Sequence, residues 1–308
     1  MINEIPAVVV GIGELIWDLL PNGKQLGGAT TNFAYISHLL GNMSFVASRV
    51  GDDELGLEAR SRLDRMGIVT KYLQVDQRHP TGTVGIEIDK CGEAHYAMNE
   101  DSAWDYLAWT DSLAELAARA DAVCFGTMAQ REPGSRATIL RFIEHTRPEA
   151  LRIFDVNLRH AFFNAEMLAA SLARATIVKL NDDELNRISE MLGLYSGRDV
   201  GLALQMLEKF NIELVAITRG GKGSTLVTKG EEVNHPGISV NVVDSIGSGD
   251  AFTAALAHYY LRRAPLKIVS EAANRIGSWV ATQAGATPEV NYETLERVLG
   301  DLYSPECN

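Results

Sequence analysis

The chain has 308 residues, 46% hydrophobic and 22% charged, a balance typical of globular enzymes, with room for one large α/β domain and a small appendage. Its 28 basic and 40 acidic residues leave a formal net charge of −12, which excludes a nucleic-acid binder held by phosphate contacts. No apolar run is long enough for a membrane span, no basic-apolar leader is evident, and the three cysteines, Cys91, Cys124 and Cys307, are widely spaced; a reducing, cytoplasmic setting without disulfides or a cysteine metal site is expected.

In chain order, an apolar β-branched run at 7–12 reads as the first strand, and 14–20, with Asp18 near its end, reads as part of a small separate sheet. Gly27-Gly28 then precede a helix at 31–40. Paired glycines let a ligand approach the backbone, and Asn32 offers both donor and acceptor, although a Gly-Gly turn also serves a purely structural purpose. A strand at 45–50 and a helix at 53–66 follow. Residues 83–89 alternate with period two, turn at 90–93 and return through 94–98, which predicts a hairpin that could cover a site as a mobile flap. An exposed small sheet also invites a second chain, so a homodimer is expected.

The second half alternates strand and helix more regularly. Helix 110–118 precedes strand 122–125, where Cys124 reads as a buried apolar residue, and helix 134–145 precedes strand 152–155. That strand ends in Asp155-Val156-Asn157-Leu158-Arg159, and Arg159 could clamp an anion or form a surface ion pair. Strand 176–180 runs into Asn181-Asp182-Asp183-Glu184 and helix 182–192. Asn181 and Glu184 share a face, suited either to a capping box or to holding Mg²⁺ through water. After helix 198–210 and strand 214–218, the glycine-rich run Thr218 to Gly223 leads into strand 224–227; it suits backbone contact with phosphate or base, or a plain tight hairpin, and lacks Walker A spacing. Helices at 251–262, 266–283 and 292–299 complete the chain. This alternation predicts a mainly parallel sheet covered on both faces, with ligands at the carboxyl ends of the strands.

The most informative segment is Asp244-Ser245-Ile246-Gly247-Ser248-Gly249-Asp250, which opens the helix at 251–262. A Gly-Ser-Gly turn at a helix start leaves backbone amides free for an anion, helped by the helix dipole. A helix cap alone would explain the turn. The carboxylate immediately behind it, Asp250, suits a hydroxyl that must lose its proton beside a transient anion, which points to phosphoryl transfer to an alcohol.

Taken together, these segments make the chain similar to the ribokinase-like, or PfkB, family of carbohydrate kinases over about residues 8–288. The 244–250 run resembles the family's C-terminal signature, Gly27-Gly28 with Asn32 its N-terminal signature, and Asn181-x-x-Glu184 its magnesium motif. The resemblance implies a three-layer α/β/α fold with a mainly parallel central sheet, one kinase domain over 1–308, and a small β lid from about 13–27 and 83–98 through which a homodimer forms. It implies Asp250 as catalytic base, with Gly247, Ser248 and Gly249 presenting amides to the transferring phosphoryl group. Asp18, Gly27, Gly28, Asn32 and Arg159 would line the sugar site; Asn181, Thr218, Gly220, Gly223 and Asn274 would contact ATP; Glu184 would hold Mg²⁺ through water. Asp244, Ile246, Val280 and Gly285 match the monovalent cation site of many relatives, which implies K⁺, but Glu289 stands where many of them carry a small polar residue, which argues against potassium activation.

Other departures bear on the substrate. Ser248 replaces the usual alanine without removing an amide, and Val156 replaces a usual proline. Ala29 stands where ribokinase and type II phosphofructokinase carry lysine, which argues against ribose and phosphorylated sugars. The implied reaction is ATP-dependent phosphorylation of a sugar primary hydroxyl, D-fructose to fructose 6-phosphate first, with 2-keto-3-deoxygluconate or a nucleoside of the adenosine type as alternatives. A catalytically inactive sugar- or nucleotide-binding regulator is the reading outside the enzyme class, and the intact Asp250, Asn181 and Glu184 argue against it.

Overall fold

The computed structural model describes residues 6–20, 23–88, 94–159, 162–290 and 292–303. The strands are β1 (Val8–Ile12), β2 (Ile16–Leu20), β3 (Gly23–Gly27), β4 (Met43–Gly51), β5 (Leu73–Asp76), β6 (Gly82–Ile88), β7 (Ala94–Met98), β8 (Ala122–Phe125), β9 (Leu151–Asp155), β10 (Ile177–Asn181), β11 (Leu214–Thr218), β12 (Ser224–Val227) and β13 (Glu232–His235). The helices are α1 (Ala29–Leu39), α2 (Glu54–Arg65), α3 (Asp111–Arg119), α4 (Pro133–Glu144), α5 (Ala165–Leu172), α6 (Asp182–Leu192), α7 (Asp199–Phe210), α8 (Ser248–Leu261), α9 (Leu266–Val280) and α10 (Tyr292–Leu299).

Nine strands form the central sheet in the order β13-β12-β11-β10-β9-β8-β1-β4-β5. From β5 to β11 neighbouring strands are parallel; β12 and β13 extend the edge antiparallel. Parallel strands buried on both faces read as continuous apolar runs, and β8, Ala-Val-Cys-Phe, is buried at every position. Successive residues feed opposite cores. Val10, Val123, Phe125 and Phe154 face one core with α3 to α7, while Val9, Cys124, Ile153 and Ile177 face another with α1, α8, α9 and α10. The result is the three-layer α/β/α sandwich expected from the alternation.

The second sheet has the order β3-β2-β6-β7. β6 and β7 are the antiparallel hairpin expected from the period-two pattern, and β2 pairs with β6 in parallel and with β3 antiparallel. The expected turn at 90–93, with Cys91, lies outside the described residues, as do His160 and Cys307.

Three elements escape the sequence pattern: β5, α5 and β13. β5 and β13 are four-residue edge strands and α5 has eight residues, too short for periodicity to separate them from loop. Two helix limits also move. α8 begins at Ser248, three residues before the sequence limit, because Gly247 caps it in a left-handed conformation (φ 77°) and Gly249 lies inside the first turn. α9 stops at Val280 rather than continuing to 283. The Ala281 carbonyl just beyond it accepts the amides of Val243 at 2.9 Å and Asp244 at 3.2 Å, so the chain entering α8 is stitched to the end of α9.

The layers touch most closely where β1 meets α1. A Cβ on Gly11 would lie 2.0 Å from the Thr30 carbonyl oxygen, a contact with backbone that no rotamer change relieves. Gly11→Ala should therefore lower the unfolding free energy by about 1–3 kcal/mol or more, read from the urea midpoint at unchanged slope; an unchanged midpoint would mean that α1 can lift from the sheet without loss.

Candidate active site

Parallel pairing puts the carboxyl ends of β1, β9, β10 and β11 along one edge of the sheet, and the residues singled out by the sequence fall there: Asp155 ends β9, Asn181 ends β10 and Thr218 ends β11. The first turn of α8 packs against this edge. Thr253 Oγ1, in α8, lies 2.8 Å from Asp155 Oδ2.

Among the described residues, that first turn leaves three backbone amides unpaired, not the three the sequence pointed to. The Ser248 amide bonds back to the Ser245 carbonyl at 3.3 Å and the Ala251 amide to Gly247 at 2.9 Å. Among the described residues the amides of Gly247, Gly249 and Asp250 have no hydrogen-bond partner. Ser248 is therefore not one of the free donors, and Asp250 contributes its own amide instead. Gly247 cannot be replaced cheaply: besides its positive φ, a Cβ there would lie 2.4 Å from the Ala286 methyl.

Asp250 is half-buried, and its Oδ2 accepts a hydrogen bond from Asn32 Nδ2 at 2.8 Å. The sequence places Asn32 among the sugar ligands; the fold joins it to Asp250 across 218 residues. Burial pushes the Asp250 carboxyl up to about 6 and the Asp155 charge adds to this, while Lys179, the Asn32 bond and Arg159 pull it down. A carboxylate tuned toward neutrality suits proton abstraction better than one near 4.

Beneath this turn lies an ion pair that the sequence reading passed over. Lys179 Nζ is 3.0 and 3.3 Å from the two Asp155 carboxylate oxygens, and both side chains are buried. The available signal was a lone lysine inside the otherwise apolar β10, Ile-Val-Lys-Leu-Asn.

Gly28 caps α1 at φ 108°, with its Cβ position 2.4 Å from the Glu14 carbonyl oxygen. Glu14 was also missed. Its Oε1 accepts the Ala29 amide at 2.9 Å, its Oε2 is buried without a partner among the described residues, and burial raises it to about 7. Asp18 is raised to about 6 by burial and by the Asp244 charge. A Cβ at Gly27 would lie 2.7 Å from Asp18 Oδ2, so glycine there leaves room for the carboxylate. Arg159 is exposed, carries no side-chain hydrogen bond among the described residues and acts on both Asp250 and Glu14. Of the residues expected to line a sugar site, Asn32 is hydrogen-bonded to Asp250 and Arg159 acts on its charge, while Asp18 interacts with Asp244 and lies against Gly27.

At the end of β10, Asn181 and Glu184 form the capping box: Asn181 Oδ1 accepts the Glu184 amide at 2.8 Å and Glu184 Oε2 accepts the Asn181 amide at 2.9 Å. Glu184 Oε1 also takes the Leu158 amide at 2.9 Å. Thr218 Oγ1 donates to the Leu180 carbonyl at 3.3 Å. Gly220 and Gly223 are left-handed at φ 54° and 83°, and a Cβ on Gly223 would meet the His235 carbonyl at 2.0 Å. Asn274 spends its amide nitrogen on Ser224 Oγ and the Ser270 carbonyl, both at 2.8 Å, leaving its oxygen for any ligand. Near the expected cation site, Asp244 accepts the Ile246 amide at 2.9 Å and the Gly285 amide at 3.2 Å, tying two of the matching loops together, while the Val280 carbonyl accepts the Gln283 amide at 2.9 Å.

Free helix amides beside a raised carboxylate are the features that phosphoryl transfer to an alcohol requires, and the comparisons give the family. Residues 21–292 match the pfkB family carbohydrate kinase. The chain belongs to that family and is a carbohydrate kinase. It is 30% identical over 307 residues to a fructokinase of Vibrio alginolyticus, covering 94% of this chain and 97% of that one. It is similar to an uncharacterized sugar kinase of Pyrococcus horikoshii in complex with ATP, at 26% identity and TM-score 0.79 over 94% of this chain and 97% of the other. It is also similar to a double mutant of the fructokinase of Vibrio cholerae O395 with fructose, ADP and potassium bound, at 25% identity and TM-score 0.79 over 96% and 98%.

Because each Glu184 oxygen receives a backbone amide, Glu184→Gln must turn an NH₂ toward one of them. Urea unfolding should report a loss of about 1–3 kcal/mol; a variant as stable as the parent would show that the amides of Leu158 and Asn181 do not depend on the carboxylate.

Proposed function

We propose that the protein phosphorylates D-fructose, transferring the γ-phosphoryl group of MgATP to the primary hydroxyl to give fructose 6-phosphate, with Asp250 as the base. The observation that carries this reading is the Asp250 carboxylate, oriented by Asn32 at 2.8 Å, beside the unpartnered amides of Gly247, Gly249 and Asp250. The hydroxyl proton passes to Asp250, the oxygen–phosphorus bond forms and the bond to ADP breaks. The free amides stabilise the charge on the transferring group without reorganising. Asp18, Asn32 and Arg159 surround the sugar in this reading, with Gly27 and Gly28 letting it approach the backbone. The fructokinase relatives and the one with fructose bound support the choice of sugar, as does Ala29 where ribokinase and type II phosphofructokinase carry lysine.

Thr218, Gly220, Gly223 and Asn274 contact the nucleotide. A magnesium ion brought by the triphosphate would be held through water by Glu184 and Asn181 at the end of β10. Its chemistry there is neutralisation of phosphate charge. K⁺ fits the loops that Asp244 ties together, where the carbonyls of Ile246, Val280 and Gly285 would hold it; the potassium-bound relative supports this reading. The β3-β2-β6-β7 sheet acts as the lid of one kinase unit, excluding water from ATP, and its edges offer the homodimer contact.

The test is ADP release from MgATP with D-fructose, with and without K⁺, against a blank lacking sugar. Fructose-dependent release supports the reading; release no higher than the blank rejects fructose and turns the assay to 2-keto-3-deoxygluconate and adenosine. Asp250→Asn should retain the fold and lose kcat by about 10²–10⁴-fold or more. Since only the ionised carboxylate accepts the proton, kcat should fall as pH drops below about 6; near-normal turnover by the variant, or a flat acid limb, would sink the base assignment.

A further inference from the structure

A buried ion pair is weak evidence for stability, because apolar residues of the same volume often serve as well. The Lys179–Asp155 pair therefore invites another explanation, and its surroundings supply one. Lys179 is 8% exposed and Asp155 3%. Thr253 Oγ1 shares its single proton between Asp155 Oδ2 at 2.8 Å and the Gly249 carbonyl at 3.0 Å. A Cβ on Gly249 would lie 2.9 Å from Lys179 Nζ, so the ammonium lies directly against the backbone of the turn that presents the free amides. Pair, threonine and turn form one packed unit.

We propose that Lys179 is the positioning cation of the catalytic turn: it fixes the Gly249 peptide and supplies the positive field that keeps Asp250 ionised, while Asp155 tempers that field. The inference rests on the reading of Asp250 as the base. The charged and titratable groups around Asp250 are Asp155 from β9, Lys179 from β10, Arg159 from the segment after β9, Glu14 from the segment after β1, and the Cys124 thiol of β8. Lys179 and Arg159 favour the ionised carboxylate; Asp155 opposes it, as does burial. Asp155, Asp250 and Glu184 in turn keep Lys179 protonated despite its burial. Arg159 is exposed and so is screened by solvent, which leaves Lys179 as the fixed cation under the turn.

The inference predicts opposite shifts from neighbouring substitutions, which lost packing alone does not produce. The acid midpoint of Asp250 is measured twice: from kcat against pH with MgATP and fructose, and from the ¹³C carboxyl titration of the ligand-free protein, with the Asp250 resonance assigned by its absence in D250N. Lys179→Met should raise both midpoints by about one pH unit or more. Asp155→Asn, which keeps the shape and the Thr253 contact, should lower both. The double variant D155N/K179M should return close to the wild type, and it carries the test with D155N if K179M alone does not fold. Carboxyl midpoints that coincide in all the folded variants would overturn the inference, leaving the pair a packing element. Carboxyl midpoints that shift as expected while kcat ignores them would instead overturn the base assignment, and with it the catalytic half of the inference.

Discussion

The structure depends on how the start of α8 is seated on the carboxyl edge of the sheet. Three contacts set that seat: Gly247 in a left-handed cap against Ala286, Thr253 on Asp155, and Lys179 against Gly249. Each leaves little freedom. Breaking one partner of a buried ion pair costs about 3–5 kcal/mol, because the other charge is left unpaired, and any side chain at 247 meets both a positive φ and a neighbouring methyl. The amides of Gly247, Gly249 and Asp250 stay without partners among the described residues because the turn that carries them is fixed on both sides.

This arrangement explains how a protein of net charge −12 can serve a polyanionic substrate. Glu14, Asp18 and Asp250 are all raised above ordinary carboxylates chiefly by burial. Under the proposed function, attraction for phosphate would come instead from backbone dipoles at a helix start, from exposed Arg159 and from Lys179 behind the turn. Amides and a helix end bring positive potential without mobile cations, and their contribution is greatest where water is excluded.

Much of this was legible in the chain. The β-branched runs and their spacing were enough for the parallel sheet, and the 244–250 run placed a turn, a helix and a carboxylate in the right order. The period-two run beginning at residue 83 was enough for the hairpin. Register across the sheet was not legible. Nothing local in Asn32 announces a partner 218 residues away, and nothing in Asp155 or Lys179 says that one strand's end faces the interior of the next. Glu14 likewise carries no local mark of its burial, which is created by α1 packing over β1. Propensity also hid the true start of α8, where glycines that discourage a helix in isolation are kept by the close approach of Lys179 and Ala286.

Under the proposed function, the sugar side and the phosphate side would be coupled through Asn32. Its amide nitrogen is committed to Asp250, whereas its Oδ1 is buried with no partner among the described residues. A buried acceptor left unpaired costs about 1–3 kcal/mol, a penalty that a hydroxyl donor in the crevice or an ordered water would relieve. Substrate that satisfies this oxygen would also stiffen the side chain that orients the base. Binding and proton transfer then share one residue at the head of α1, and α1 is held by Gly11 and Gly28 at distances that admit no side chain. The glycines serve chemistry indirectly, by leaving a helix too closely packed to move the amide that aims the carboxylate.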